Sequence, residues 1–253
     1  MQSSTTTTRS LPSHYELTRA QVAFSCLSIA STVVLWTWSS YRVASQLDLA
    51  DWWVPAAVVL GIAAADLGSG LIHWWADTWG RDDCPLIGHR LLVPFRVHHI
   101  NPDDFLRRRF IDTNGEVAAV AAPVLALLLT VPLDTTWGGP VALFGLAFCG
   151  IGSLTNQIHQ WAHMPSPPAT IRALQACGIL LGRAEHAAHH DRPYDRRYCI
   201  TTGWCNRPLD AIDFFRRMES AITWLTGVLP RHDDRRYEAR YAVPIARHET
   251  PGA

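Results

Sequence analysis

The sequence contains no lysine and few charged residues of any kind. All 22 of its cationic side chains are arginine, and charged residues make up only 17% of the 253 residues. Soluble domains carry about 25% charged residues, so this deficit favours a membrane protein. Positive and negative charges cancel to a formal net charge of zero, and we therefore expect no general attraction to nucleic acid.

Cysteine motifs and nucleotide-binding loops are also missing. The six cysteines are scattered, with no C-x-x-C pair, which does not indicate a zinc ribbon or a disulfide framework. The chain has no G-x-G-x-x-G turn and no C-x-x-C-H site, so it cannot hold a nicotinamide or a c-type haem by these devices. Its polar, Thr-rich start lacks the apolar run of a secretory signal. Any redox chemistry therefore needs electrons from a partner, such as a ferredoxin or a cytochrome b5-like protein.

Long apolar segments, in contrast, are abundant. Hydrophobic residues make up 48% of the chain, and a bilayer crossing needs about 20 mostly apolar residues. Tryptophans stand at the ends of several such segments, where aromatic rings collect in membranes. The sequence therefore predicts an all-α integral membrane protein with four transmembrane helices. The predicted spans cover residues 20–39, 52–72, 116–132 and 140–158.

The placement of arginine sets the predicted orientation of the spans. The loop 73–115 carries six arginines and the region after residue 163 carries thirteen, whereas the loop 133–139 carries none. We therefore expect both termini and the long middle loop on the cytosolic side of a bacterial inner membrane or its equivalent. The predicted units are a polar tail over 1–19, a membrane domain over 20–230 with a cytosolic helical cap over 159–230, and a peripheral tail over 231–253.

Eight of the twelve histidines fall into four tight groups. Imidazole is a common ligand of transition metals near neutral pH, and residues four apart share a helix face. His159 and His163 can therefore bind one ion, and the cluster 186–190 can supply ligands to two. All four groups emerge on the predicted cytosolic face, although arginine alone sets that orientation. The candidate metal ligands are His73, Asp77, His98, His99, His159, His163, His186, His189 and His190.

The ligand types narrow the choice of metal. The absence of a thiolate set argues against zinc-finger and iron–sulfur sites, and zinc hydrolases use three protein ligands rather than eight. An abundant imidazole set suits iron or copper, and two irons suit oxygen activation. Asp77, four residues after His73, is the candidate catalytic residue, either as a metal ligand or as the acceptor of an imidazole N–H. The isolated histidines His14, His89, His232 and His248 are left unassigned.

Polar residues near the ligand groups are candidates for substrate contacts. Asp66 lies seven residues before His73, about two helical turns deeper in the bilayer, and Gly70 between them leaves room beside the backbone. Asn156, one turn before His159, can hydrogen-bond the substrate or a metal-bound water. Candidate ligands of a head-group phosphate, unless they only face lipid phosphates at the membrane surface, are Arg96, Arg192, Arg196 and Arg197.

Five segments resemble those of a known family in order and in spacing. They are Ala64–Gly80, Pro94–Ile100, Thr155–His163, His186–His190 and Tyr198–Trp204. Together they resemble the plasmanylethanolamine desaturases, the lipid desaturases with a Kua-type domain, and plant desaturases of phosphatidylglycerol acyl chains share the pattern. One departure is His89, where the family would have a lysine-like residue.

The resemblance implies a specific chemistry. It implies a membrane di-iron oxidase that uses O2 to convert a 1-O-alkyl ether phospholipid into its 1-O-alk-1-enyl form, with two iron ions as cofactors. It also implies that the eight grouped histidines are the histidines of the family and that Asp77 matches its important acidic position. Two alternatives stay open: desaturation or hydroxylation of a phospholipid acyl chain and, from another class, a membrane metal or haem carrier.

Overall fold

The computed structural model describes residues 17–241 except 80, 82, 86 and 102–104, and the regular elements in this part of the chain are all helices. His14, His248, the side chain of His89 and most of both predicted tails lie outside the described residues. A π-helical turn, Gly88–Leu92, precedes the third α-helix. The α-helices are α1 Arg19–Gln46, α2 Trp53–Trp79, α3 Val93–Ile100, α4 Phe110–Leu128, α5 Gly138–Gly152, α6 Thr155–His163, α7 Ala169–Ala176, α8 Arg183–Ala187, α9 Asn206–Ala211, α10 Phe214–Thr226 and α11 Asp234–Tyr241.

Within the described residues, four helical stretches are long and apolar enough to cross a membrane, which confirms the all-α, four-span prediction. The first, second and fourth stretches continue past the predicted ends because hydropathy marks the apolar layer, whereas a helix can continue into the polar region beyond it. The third stretch begins earlier than predicted and ends at Leu128, before the predicted residue 132. The fourth stretch consists of α5 and α6, separated only by Ser153 and Leu154. The four stretches are Arg19–Gln46, Trp53–Trp79, Phe110–Leu128 and Gly138–His163.

The spans pack in close pairs, α1 along α4 and α2 along α5. Small residues allow this approach, as they commonly do between membrane helices. A methyl group on Gly115 of α4 would lie 2.2 Å from Oγ of Ser25 in α1, and one on Gly61 of α2 would lie 2.4 Å from a backbone oxygen of α5. Thr32 also donates a hydrogen bond of 2.8 Å to the carbonyl of Ala118. These contacts hold α1 against α4 and α2 against α5, and α2 carries the first two predicted ligands.

Asp66 fastens the cap to the second span. Its buried carboxylate accepts backbone N–H groups of the segment Thr201–Cys205, three at Oδ1 over 2.8–3.2 Å and one at Oδ2 over 2.9 Å. This set of contacts corrects our expectation that Asp66 meets the substrate, because both oxygens are already bound to the loop. The carboxylate instead holds the loop that follows α8 against α2.

Gly70 also serves this junction rather than the substrate. A methyl group at position 70 would lie 2.5 Å from Sγ of Cys199 and 3.2 Å from the Cys199 nitrogen. The absence of a side chain therefore admits the cap loop, and the clearance predicted beside α2 is filled by protein.

The described part of the predicted C-terminal tail packs onto the domain. Arg231 pairs with the buried carboxylate of Glu219 at 2.7 Å, and α11 lies against α3. Arg96 of α3 is 4% exposed and pairs with Asp233 at 2.7 Å and with Asp234. Residues 231–241 are therefore not peripheral. Arg96 faces carboxylates of this chain, which corrects our expectation that it meets a lipid phosphate.

Candidate metal centre

The eight grouped histidines and Asp77 converge at one end of the helix bundle. They come from four separate stretches of helix and from the turn after α8. They form two sets, and within each set the ligand atoms lie within 4.8 Å of one another. We call these sets group one and group two. Group one is His98, His159, His163, His186 and His190, and group two is His73, Asp77, His99 and His189.

Nε2 atoms meet at the centre of group one. Nε2 of His186 lies 2.9 Å from that of His159, 2.9 Å from that of His163 and 3.1 Å from that of His190, while His159 and His163 are 3.3 Å apart. A neutral ring nitrogen either donates or accepts, so three nitrogens in a closed triangle cannot all be hydrogen-bonded to one another. Ligand nitrogens around one ion with bonds of about 2.1 Å lie about 3 Å apart. The arrangement therefore fits a metal cation.

Group two is built around one carboxylate oxygen. Oδ2 of Asp77 lies 3.1 Å from Nε2 of His73, 3.1 Å from Nε2 of His99 and 3.4 Å from Nε2 of His189. His99 and His189 are themselves 3.3 Å apart at Nε2. Asp77 thus contacts each of the three imidazoles and gives this group the negative charge that group one lacks.

Backbone carbonyls orient two of the group two imidazoles. Nδ1 of His73 lies 3.1 Å from the carbonyl oxygen of Tyr198, and Nδ1 of His189 lies 2.7 Å from that of Arg196. A carbonyl can only accept, so each Nδ1 donates and each Nε2 presents its lone pair to the centre. Sequence analysis missed both partners. Tyr198 opens one of the family-like segments, but a main-chain contact leaves no side-chain signature.

Burial keeps the imidazoles in their ligating form. Burial, followed by neighbouring histidines, holds the pKa values of His98 and His186 well below the usual range and lowers the pKa of His189 to about 3. Nε2 of His98 and Oδ1 of Asp77 are buried and have no hydrogen-bond partner in the described part of the chain. Such orphaned atoms are costly, and a cation in each group would satisfy them. The donor set therefore fits two metal ions.

Neighbouring histidines are divided between the two groups. His98 belongs to group one and His99 to group two, although both lie on α3. In the third cluster, His186 and His190 belong to group one and His189 to group two. The spacing of that cluster predicted ligands for two ions, and the structure places its members accordingly.

An apolar cavity of about 170 Å³ lies between α2, α4 and the fourth stretch. Gly68 and Ile72 form part of its wall on α2, and Ala121 forms part of it on α4. The cavity wall includes Gly68 but not Gly70, so the room that the sequence predicted beside Gly70 does not open onto this cavity.

A second, polar cleft of about 60 Å³ adjoins the cavity and reaches His98 and His159 of group one. Asn156 lines both spaces, as do Leu91, Phe95 and Val117. The side-chain amide of Asn156 donates a hydrogen bond of 2.5 Å to the carbonyl of Thr113. The predicted substrate residue Asn156 is therefore placed where the cavity meets the ligands.

The other arginines predicted to bind phosphate lie elsewhere. Arg192 pairs with Glu238 at 2.5 Å, Arg196 with Asp191 at 3.4 Å, and Arg197 with Asp210 at 2.7 Å. None of the three lines the cavity or the cleft. Proximity to ligands in sequence was a poor guide, because the loop after α8 turns these side chains toward acidic neighbours.

The fold and the site define a multi-pass membrane protein with an imidazole-rich centre beside an apolar cavity. The chain belongs to the lipid desaturase domain family, whose model matches residues 62–233. It is 40% identical to plasmanylethanolamine desaturase of Myxococcus xanthus, over 88% of this chain and 80% of that protein. It is 39% identical to plasmanylethanolamine desaturase 1 of Mus musculus, over 82% of this chain and 80% of that protein.

A plant desaturase is also similar to this chain. The chloroplastic fatty acid desaturase 4-like 1 of Arabidopsis thaliana is 36% identical over 71% of this chain and 60% of that protein. No solved structure matches. The family resemblance seen in the sequence is confirmed, and the chain is an oxidoreductase of the lipid desaturase type that works in a membrane on a lipid substrate.

Proposed function

We propose that this protein is a plasmanylethanolamine desaturase that uses O2 and two iron ions. The reaction removes one hydrogen each from C1 and C2 of the 1-O-alkyl chain of an ether phospholipid and leaves a vinyl ether. One O2 takes up these two hydrogens, two protons and two electrons from an external donor, and two waters form. The observation that carries the proposal is the pair of ligand groups, one of which is reached from an apolar cavity through an adjoining cleft.

The two groups would each hold one iron. When bound, the metal supplies the oxygen-activating chemistry that acid–base side chains cannot provide for an unactivated C–H bond. A donor set of imidazoles and one carboxylate, without thiolate, supports iron. Tyr198 and Arg196 orient His73 and His189 through their carbonyls, and Asp77 contributes the anionic ligand of group two.

The cavity and the cleft position the lipid. The apolar wall excludes water and accepts the alkyl chain, and the polar cleft faces His98 and His159. The C1 and C2 carbons of an ether lipid lie next to the glycerol, close to the head group. A centre reached through a polar cleft at the mouth of an apolar cavity suits carbons at that position.

The metal centre lies on the cytosolic side of the membrane in this proposal. The excess of arginine in the loop 73–115 and after residue 163 supports that orientation. A ferredoxin or a cytochrome b5-like protein would then deliver electrons from the cytosol.

Expression in a plasmalogen-free host fed an alkylglycerol tests the proposal. Lipid mass spectrometry should show acid-labile 1-O-alk-1-enyl lipids that depend on O2. A new acyl double bond without vinyl ether would favour acyl-chain desaturation instead, the alternative raised by the relatives named fatty acid desaturase. Metal binding without oxygen uptake would indicate a carrier and reject desaturation altogether.

A further inference from the structure

We infer that the polar cleft binds a zwitterionic phospholipid head group, with Arg90 holding the phosphate and Glu116 holding a primary ammonium. The inference depends on the proposed function and adds to it the residues that recognise the ethanolamine head group. The two residues line the cleft that reaches the metal centre, and sequence analysis assigned neither of them a role.

Two opposite charges stand side by side in the wall of the cleft. Arg90, in the π-helical turn before α3, forms an ion pair with Glu116 of α4. Their side chains are 28% and 34% exposed, so both charges are accessible from the cleft while being partly shielded from water. Nε of Arg90 is buried and has no hydrogen-bond partner within the described residues. A lipid phosphate can replace Glu116 as the anion beside Arg90, and a lipid ammonium can replace Arg90 as the cation beside Glu116.

The shape of the site places the head group relative to the reacting carbons. The cleft reaches His98 and His159, and it shares Leu91 and Phe95 with the apolar cavity. A phospholipid joins its charged head to its apolar chains through a short glycerol. With the head at Arg90 and Glu116 and the chain in the cavity, the first chain carbons lie beside the group one ligands. Recognition of the head group would thus also select which carbons react.

Chemistry favours a primary ammonium over a quaternary one. A primary ammonium offers three N–H donors to a carboxylate, whereas a trimethylammonium offers none and is larger. Asp112, which also lines the cleft, is already paired with Arg109 at 2.8 Å, so Glu116 is the carboxylate that we assign to the ammonium. An ethanolamine head group therefore fits better than choline, and better than an uncharged glycerol that leaves Glu116 without a cation from the lipid.

Head-group selectivity of the iron-loaded enzyme in membranes, supplied with its electron donor, tests the inference. The measurement is kcat/KM for 1-O-alkyl phospholipids with ethanolamine, choline or glycerol heads. Glu116→Gln should reduce the preference for ethanolamine over glycerol by about tenfold, because it removes one charged hydrogen bond. Arg90→Gln should raise KM for all three lipids alike, because all three carry the phosphate.

An exposed ion pair provides the matched controls. Arg81 and Asp83 are 67% and 61% exposed, and their side chains pair at a distance of 2.5 Å. Neither residue lines the cleft. Arg81→Gln and Asp83→Asn make the same changes of charge and should leave the head-group preference unchanged. Iron content, measured in each preparation, shows whether the metal centre is intact.

The outcomes separate this inference from the proposed function. A wild-type enzyme that forms no vinyl ether from any of the lipids would refute the proposed function. A wild-type enzyme that does so, with an ethanolamine preference that survives Glu116→Gln, would overturn the head-group assignment alone. An equal loss of activity on all three lipids in Glu116→Gln would also overturn it, since a purely structural ion pair predicts that result. Should Glu116→Gln not accumulate, Glu116→Asp, which keeps the charge but withdraws it by one methylene, must lower the same ratio.

Discussion

The side chain missing from Gly70 determines how closely Cys199 approaches the second span. A methyl group there would lie 2.5 Å from the Cys199 sulfur and 3.2 Å from its backbone nitrogen. Cys199 follows Tyr198, whose carbonyl orients the imidazole of His73. The geometry of His73, a proposed metal ligand on α2, therefore depends on a contact one helical turn away.

Gly70→Ala should displace the cap loop and weaken metal binding. Overpacking of this kind costs about 1–3 kcal/mol, and the displaced carbonyl would release Nδ1 of His73. We expect a lower metal content per chain and a lower thermal midpoint, measured by elemental analysis and thermal unfolding. Gly68→Ala is the matched control, because its methyl group would meet no atom closer than 4.0 Å. Equal metal retention in the two variants would contradict the assignment.

His163→Ala and His190→Ala should each abolish vinyl ether formation while the protein still inserts into the membrane. Both remove an imidazole from group one and leave the ligands of group two in place. We expect the metal content to fall by roughly one ion per chain, because the loss of one ligand weakens metal binding by the whole group. His232→Ala, at an exposed imidazole outside both groups, is the control. Normal plasmalogen levels in cells bearing either ligand variant would rule out the ligand assignment.

Asp66→Asn should destabilise the protein without touching a metal ligand. With Oδ1 kept in place, the new amide N–H₂ would face the N–H of Cys205, and two donors would oppose each other where the carboxylate now accepts. Loss of charged hydrogen bonds predicts a cost of about 3 kcal/mol, visible as a lower thermal midpoint or faster proteolysis. Asp83→Asn, at a 61% exposed carboxylate, should have no such effect. Wild-type stability in Asp66→Asn would show that the cap is held by other contacts.

Ala121→Phe should block the apolar cavity. Ala121 is a buried residue of α4 whose side chain lines the cavity, so a phenyl ring would occupy space that we assign to the alkyl chain. Activity on long-chain ether lipids should be lost while iron content stays at the wild-type level. Ala126→Phe, on an exposed position of the same helix, should be active. Full activity of Ala121→Phe would place the lipid elsewhere.

The metal-free protein should become less stable as the pH falls from about 7.5 to about 5. In the folded chain, burial holds the pKa values of His98 and His186 well below the ordinary imidazole value of 6.5 and lowers the pKa of His189 to about 3. Below pH 6.5 the unfolded chain therefore binds more protons, and stability falls by up to about 1.4 kcal/mol per pH unit for each histidine. Thermal unfolding in detergent at several pH values measures this slope. A midpoint that does not change with pH would show that these imidazoles are not buried in the neutral form.

Contacts within a single helix were predictable from the sequence. The spacing of four residues placed His159 beside His163 and His73 beside Asp77, because the helical repeat alone decides those contacts. Contacts between distant segments were not predictable in the same way. The division of His98 and His99 between the groups depends on how α3 sits against α6 and α8, and no local pattern encodes that orientation.

The same limit of prediction from sequence applies to the charged residues. Arg96 was predicted to meet phosphate because it stands near His98, yet its partner Asp233 lies 137 residues away in sequence. Asp66 does share a helix with His73, as predicted, but its carboxylate is taken by backbone N–H groups of a loop whose sequence shows no sign of the contact. Side-chain type indicates what a residue can bind, whereas the tertiary fold decides which partner it receives.

The residues of both groups are dispersed along the chain, so the order of translation determines when each group can be complete. Neither group is complete before the ribosome has added residues 189 and 190, by which point all four spans have been made. If these groups bind metal as proposed, the ion enters after all four spans have been synthesised, and a nascent chain that ends before residue 186 lacks ligands of both groups. The helix α11, which packs against α3 next to this site, is synthesised later still, so the contacts that it makes can form only after both groups are complete.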